Sequence, residues 1–167
     1  FREIFYPLAT RFWERSNLRS PRGTFLSFTA NPTIRETMCH LALWGFAIRR
    51  LAPPAVPSDT TLAPEITAGL EECLSPVVLR HFSDWVPEPC VPRLQTMFMK
   101  RLIASASTFQ EAIPRWRSSL DRLIRIRPRA VLTNLPKSPV EFALHAVCRE
   151  RDLPLVAYQH GVTRELS

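Results

Sequence analysis

A histidine near the end of the sequence has the residue type and the position needed for proton transfer. His160 follows the apolar run Pro154–Tyr158 and precedes Gly161, which permits a sharp turn that would expose the imidazole. An unperturbed histidine titrates at about 6.5, so it can accept a proton from a hydroxyl group near neutral pH. We therefore predict that His160 is a general base, and Arg164 is close enough in sequence to add a charge. The alternative is a histidine that only hydrogen-bonds within a turn.

Polar residues also follow two other short apolar runs. They are Asn31 and Arg35 in the first case, and Asn134, Lys137 and Ser138 in the second. If the two runs are neighbouring parallel strands, these residues meet beyond the carboxyl ends of the strands, where ligands of open α/β sheets bind. Each group also opens a helix whose free N–H groups favour an anion, so we predict a site for phosphate, carboxylate or sugar hydroxyls. The alternative is that these residues only begin helices.

Four apolar, β-branched runs predict the strands that would carry these residues, at residues 24–29, 47–51, 130–134 and 154–159. Two capping boxes, Thr33 with Glu36 and Ser138 with Glu141, predict helices that start near Thr33 and Ser138. The order β-α-β, then helices, then β-α-β predicts an α/β fold. It would be a single Rossmann-like domain over residues 1–167, with a parallel sheet flanked by helices and a helical insertion at about 64–127.

Helical spacing makes further predictions about packing. The first helix should end at about Gly45 and bury Trp44 together with Ile34, Met38 and Leu41. Proline predicts a break near Pro76. Pro114 interrupts the longest helical pattern, which predicts either two consecutive helices or one kinked helix. One face of that pattern should carry apolar side chains, namely Phe98, Leu102, Phe109, Ile113, Trp116, Leu120 and Leu123.

Composition narrows the classes of function. The chain has 167 residues, is 46% hydrophobic and has a formal net charge of +7. Its basic residues are scattered rather than clustered in a stripe, so we predict affinity for anionic partners but no nucleic-acid binding. Four widely spaced cysteines without a C-x-x-C pair predict reduced thiols and no metal site, and four glycines leave no Gly-rich phosphate loop. We predict no cofactor and a cytoplasmic location. Two interpretations of Phe12 and Trp13 stay open, namely peripheral contact with the inner membrane and packing on the protein.

The stretch PLVAYQHG, residues 154–161, resembles the strand and QHG sequence of bacterial surface-polysaccharide transferases of the GT-B architecture. These include capsule and lipopolysaccharide glycosyltransferases and the glycerophosphotransferases of teichoic-acid synthesis. The stretch FLSFTANPTIRETMCHLALWGFAIRRL, residues 25–51, resembles the opening β-α-β unit of their N-terminal domain.

The resemblance implies that the chain is the N-terminal, acceptor-side half of such an enzyme, with His160 in the cleft between two domains. A second, C-terminal Rossmann-like domain, not included in this sequence, would bind a nucleotide-activated donor. The implied partners are a glycan or polyol acceptor and that donor. Two other interpretations remain open from the residues: a non-catalytic α/β module that binds an anionic glycan, a nucleotide or a partner protein, and a small hydrolase or epimerase.

Overall fold

A computed structural model describes residues 22–28, 32–57 and 61–158 of the chain. Four strands occur in these ranges, β1 (Thr24–Ser27), β2 (Ala47–Arg50), β3 (Pro128–Asn134) and β4 (Leu155–Tyr158). The helices are α1 (Pro32–Leu43), α2 (Pro64–Ser83), α3 (Val91–Ile124) and α4 (Pro139–Glu150), with a short 3₁₀ helix at Glu88–Cys90 before α3. The predicted α/β class, the four strands and the helical insertion are therefore confirmed, while the predicted segment around Phe12 and Trp13 lies outside the described residues.

The four strands form one parallel sheet in the order β2-β1-β3-β4. The chain leaves β1 toward β2 on one side and later returns on the other side of β1 as β3. The strand order therefore reverses between β1 and β3, as the sequence prediction required. In an open α/β sheet, this switch point is where the loops after the strands diverge and leave a crevice.

Helices cover both faces of the sheet, because successive strand residues point to opposite faces. On one face, Leu26 and Val131 pack against Trp116 of α3 and Leu144 of α4. On the other face, Leu132 packs with Ile34 and Met38 of α1 and with Ile48 of β2. The first cluster contains more buried residues, so most of the apolar burial lies on the face of the sheet that α3 and α4 cover.

The predicted break near Pro76 is wrong, and of the two alternatives predicted at Pro114 the structure has one helix rather than two. Helix α2 continues through Pro76, and α3 runs for 34 residues through Pro114. Both prolines are exposed, and so are Glu72 and Gln110, the residues four positions earlier whose carbonyls lose an N–H donor. Water can hydrate those carbonyls. Ala112 and Trp116, fully buried on either side of Pro114, favour the continuous helix through packing.

Predictions about the first helix and the long helix need three further corrections. Helix α1 begins at Pro32, so Thr33 lies inside it and is not its N-cap. Gly45 has a φ of 83° and ends the helix as predicted, but the chain leaves the helical path there, and Trp44 is 61% exposed instead of buried. Phe98 is likewise exposed and stacks edge-to-face on Phe82, whereas its neighbour Met99 is buried.

Within the described ranges, no helix combines the length and the apolar composition that crossing a membrane requires.

Candidate functional site

The switch-point loops lie at the carboxyl edge of the sheet, beside the ends of β1 and β3. Ser27, the last residue of β1, is level with Leu132, so β3 continues two residues further, to Asn134. The N–H of Phe28 donates to the carbonyl of Leu132 at 3.0 Å and keeps the end of β1 against β3. The loop after β3 therefore begins beyond the end of β1.

The predicted capping box at the start of α4 is confirmed. The Ser138 side chain accepts a hydrogen bond from the Glu141 N–H at 3.3 Å, and Glu141 Oε2 accepts from the N–H of Ser138 at 3.0 Å and of Lys137 at 2.5 Å. These three donors are therefore satisfied within the chain, and the Glu141 carboxylate is a negative charge at the positive end of the helix. What the loop offers an anion is chiefly the exposed Lys137 side chain.

Trp116 of α3 holds both switch-point loops in place. Its indole Nε1 donates to the carbonyl of Val140, in the first turn of α4, at 2.8 Å. Its ring also packs edge-to-face on Phe28, just after β1, with 5.4 Å between ring centroids. One fully buried side chain thus links the residue that follows β1 to the helix that follows β3.

His145 is a candidate residue that the sequence prediction missed. It lies on α4 one turn after Glu141, and its Nε2 atom is enclosed without a hydrogen-bond partner among the described residues. Burial lowers the pKa of His145, and the Glu141 charge and a hydrogen bond with the Asn134 backbone oppose that shift. The lowered pKa favours the neutral form of the ring. Its spacing of four from Glu141 was visible in the sequence, but its contact with the end of β3 was not.

An apolar groove of about 460 Å³ adjoins the loop after β3. Helices α2 and α3 form most of it, with Leu70, Leu74, Leu102 and Phe109 among its lining residues. Lys137, Ser138 and Phe142 line its end beside α4. The groove therefore places apolar surface directly next to the exposed cation of the switch-point loop.

The structure brings together three of the predicted site residues, and a fourth lies on α1, on the other face of the sheet. Asn134, Lys137 and Ser138 belong to one loop, and the carbonyl of Tyr158 at the end of β4 accepts a hydrogen bond from Leu135 in that loop at 3.4 Å. Arg35 is exposed in the first turn of α1, which follows β1.

The other predicted site residues, Asn31, His160, Gly161 and Arg164, lie outside the described residues, and their roles stay predictions. Among the residues that the structure describes, no cluster of three or more His, Cys, Asp or Glu side chains could hold a metal ion.

Comparison with known proteins identifies no relative. No protein-family model matches the chain, and neither a curated protein nor a solved structure matches it significantly.

Proposed function

We propose that this chain is the acceptor-side, Rossmann-like half of a glycosyltransferase or glycerophosphotransferase of bacterial surface-polysaccharide synthesis. The observation that supports the proposal is the β1/β3 switch point, where Asn134, Lys137 and Ser138 share one loop beside the end of β4. Strand β4 ends at Tyr158, two residues before the predicted general base His160. Ligand-orienting residues and a proton acceptor would then share one edge of the sheet.

In this proposal, His160 removes the proton of an acceptor hydroxyl as its oxygen attacks the activated carbon or phosphorus of the donor. The new bond to the acceptor oxygen forms while the bond to the nucleotide leaving group breaks, and the electron pair leaves with the nucleotide phosphate. Asn134 and Ser138 suit hydrogen bonding to acceptor hydroxyls, and Lys137 suits a neighbouring negative charge. The donor nucleotide would be held mainly by a second domain.

A turnover assay tests the role of His160 in the complete protein with its donor-binding domain. His160→Ala should lower kcat about 10²–10⁴-fold, the usual contribution of a positioned acid or base. His40→Ala is the matched control, because His40 is exposed in the last turn of α1, at the end of that helix away from the loop after β1. Turnover of His160→Ala equal to that of His40→Ala would remove the base assignment.

A second candidate function, a non-catalytic module that binds a partner protein, is favoured by a different observation. Val77 on α2 and Trp85 just after it are 62% and 80% exposed. Exposed large apolar side chains that form a contiguous patch are typical of surfaces that bind other proteins.

An NMR titration of the ¹⁵N-labelled chain separates the two functions. Oligosaccharides from lipopolysaccharide core and from capsule are the acceptor probes, and UDP-N-acetylglucosamine and CDP-glycerol are the donor probes. The transferase proposal expects acceptor-induced shifts at the amides of Asn134, Lys137 and Ser138. The binding module would be favoured if the acceptors changed no chemical shift at these three amides and a cellular partner protein instead changed the chemical shifts of Val77 and Trp85.

A further inference from the structure

We propose that the edge of the sheet opposite the candidate site docks on an anionic phospholipid bilayer. The amino-edge surface, as we call it, carries seven exposed arginines: Arg22, Arg122, Arg125, Arg127, Arg129, Arg149 and Arg151. Three exposed apolar side chains flank them: Leu43, Trp44 and Ile124. The proposal does not depend on transferase activity, since it concerns the other end of the strands.

The topology gathers these distant residues on one surface. All four strands are parallel, so the residues just before them, including Arg22, Arg127 and Arg151, share the amino edge. Helices α3 and α4 lead directly into β3 and β4, so their carboxyl ends lie at this same edge. Six of the seven arginines are thus in or just beyond the last turns of these two helices or at the start of β3.

Hydrogen bonds connect the apolar and the basic parts of the surface. Arg22 Nη1 donates to the carbonyl of Trp44 at 2.8 Å, and Arg129 Nε donates to the carbonyl of Arg22 at 3.2 Å. The N–H of Ala47 donates to the carbonyl of Gly23 at 3.0 Å and fixes the start of β2 beside the start of β1. Trp44, Arg22 and Arg129 are therefore neighbours across three adjacent strands.

The positive charge of this surface exceeds its negative charge. Its acidic residues are Asp121, Glu150 and Asp152. Asp121 pairs with Arg151 at 2.8 Å and Glu150 with Arg117 at 2.9 Å, both in exposed pairs that contribute little to stability.

The arginines of this surface that have no acidic partner remain available for an external anion. Arg122, Arg125 and Arg149 form no ion pair with any acidic residue of the described part of the chain. Two of them, Arg122 and Arg125, line an open cavity of about 610 Å³ along the last turns of α3.

The combination of side chains favours a lipid surface over other polyanions. Guanidinium groups bind phosphate through paired hydrogen bonds, and juxtamembrane basic residues are attracted to anionic lipids. Trp44 is 61% and Leu43 75% exposed, and an exposed tryptophan beside basic residues suits the boundary between headgroups and acyl chains. A nucleic acid or an acidic glycan would use the arginines but would leave Leu43 and Ile124 in water.

Vesicle co-sedimentation of the full chain tests the proposal. We expect binding to vesicles with about 30 mol% phosphatidylglycerol, and little to pure phosphatidylcholine, at about 0.1 M salt, where the Debye length is about 10 Å. A triple variant, Arg122→Gln, Arg125→Gln and Arg149→Gln, should lower the partition coefficient on the order of 100-fold, because each basic residue near such a surface contributes about fivefold.

The chain offers matched controls for charge and for aromatic surface. The triple variant Arg93→Gln, Lys100→Gln and Arg101→Gln removes the same charge from exposed positions in the first half of α3 and should retain binding. Trp44→Ala should weaken binding, whereas Trp85→Ala should not. Thermal unfolding of each variant confirms that the fold is intact.

Three results would overturn the proposal. The first is equal binding to neutral and anionic vesicles. The second is an equal loss in the two triple variants, which would mean that net charge alone attracts the chain. The third is tighter binding to a DNA oligonucleotide or to heparin than to the anionic vesicles at the same salt, which would assign the surface to another polyanion.

Discussion

Substitution of Trp116 should show that one side chain holds the two switch-point loops together. The ring is fully buried among α3, α4 and the sheet, its N–H donates to Val140 at 2.8 Å, and it packs edge-to-face on Phe28. Trp116→Phe removes the N–H but keeps an aromatic ring, whereas Trp116→Ala removes the entire contact. The two variants therefore separate the hydrogen bond from the packing.

The expected losses in the free energy of unfolding follow from these contacts. Loss of the hydrogen bond should cost about 1 kcal/mol of the free energy of unfolding, and the smaller ring leaves a cavity that adds to this, so we expect about 1–2 kcal/mol for Trp116→Phe. Trp116→Ala should cost about 3–5 kcal/mol, because it also removes the ring contact with Phe28. These losses are large fractions of the stability of an ordinary domain.

Urea denaturation followed by far-UV circular dichroism measures both values without relying on tryptophan fluorescence. The matched control is Trp85→Phe, which changes a side chain that is 80% exposed and should alter the free energy of unfolding by less than about 0.5 kcal/mol. If Trp116→Ala proved no more destabilising than Trp85→Phe, the inference that Trp116 joins the two loops would be refuted.

Three further predictions concern α4 and its contacts. Ser138→Ala should lower the free energy of unfolding by about 0.5–2 kcal/mol in the same assay, and Ser138→Thr, which keeps the hydroxyl, should restore most of it. Burial lowers the pKa of His145 in the folded chain, so the unfolded chain takes up this proton at a higher pH than the folded chain does. The free energy of unfolding should therefore fall as the pH drops below about 6.5. In His145→Gln, urea denaturation between pH 7 and pH 5.5 should lack the part of this fall that His145 causes. Burial raises the pKa of Cys148 to about 12, so iodoacetamide at pH 8 should label exposed Cys73 and Cys90 in the native chain but Cys148 only after unfolding; rapid native labelling of Cys148 would contradict its burial.

The two edges of the sheet carry different chemistry. The carboxyl edge combines the polar loop after β3 with an apolar groove, and the amino edge collects arginines from the ends of α3 and α4. Docking through the amino edge would leave the switch-point loop with Lys137 facing away from the bilayer. A bound acceptor would then be approached from the side away from the bilayer, and the chain could combine membrane attachment with an accessible site.

Local sequence patterns determined the elements of this fold. The apolar runs predicted all four strands, Ser138 and Glu141 predicted the capping box of α4, and Gly45 predicted the end of α1. These signals succeed because strand alternation, side-chain capping and the positive φ of glycine act between residues close in sequence.

Only the tertiary structure decided how long elements continue and which residues meet. Pro76 and Pro114 lie within continuous helices because neighbouring residues are held in the core. The low helix propensity of proline does not include the free energy of that packing. The Nε2 atom of His145 is enclosed because the surroundings of this residue include another segment, the end of β3. The scattered arginines of the sequence become one surface for the same reason, since parallel strands and returning helices bring residues more than 100 positions apart to one edge.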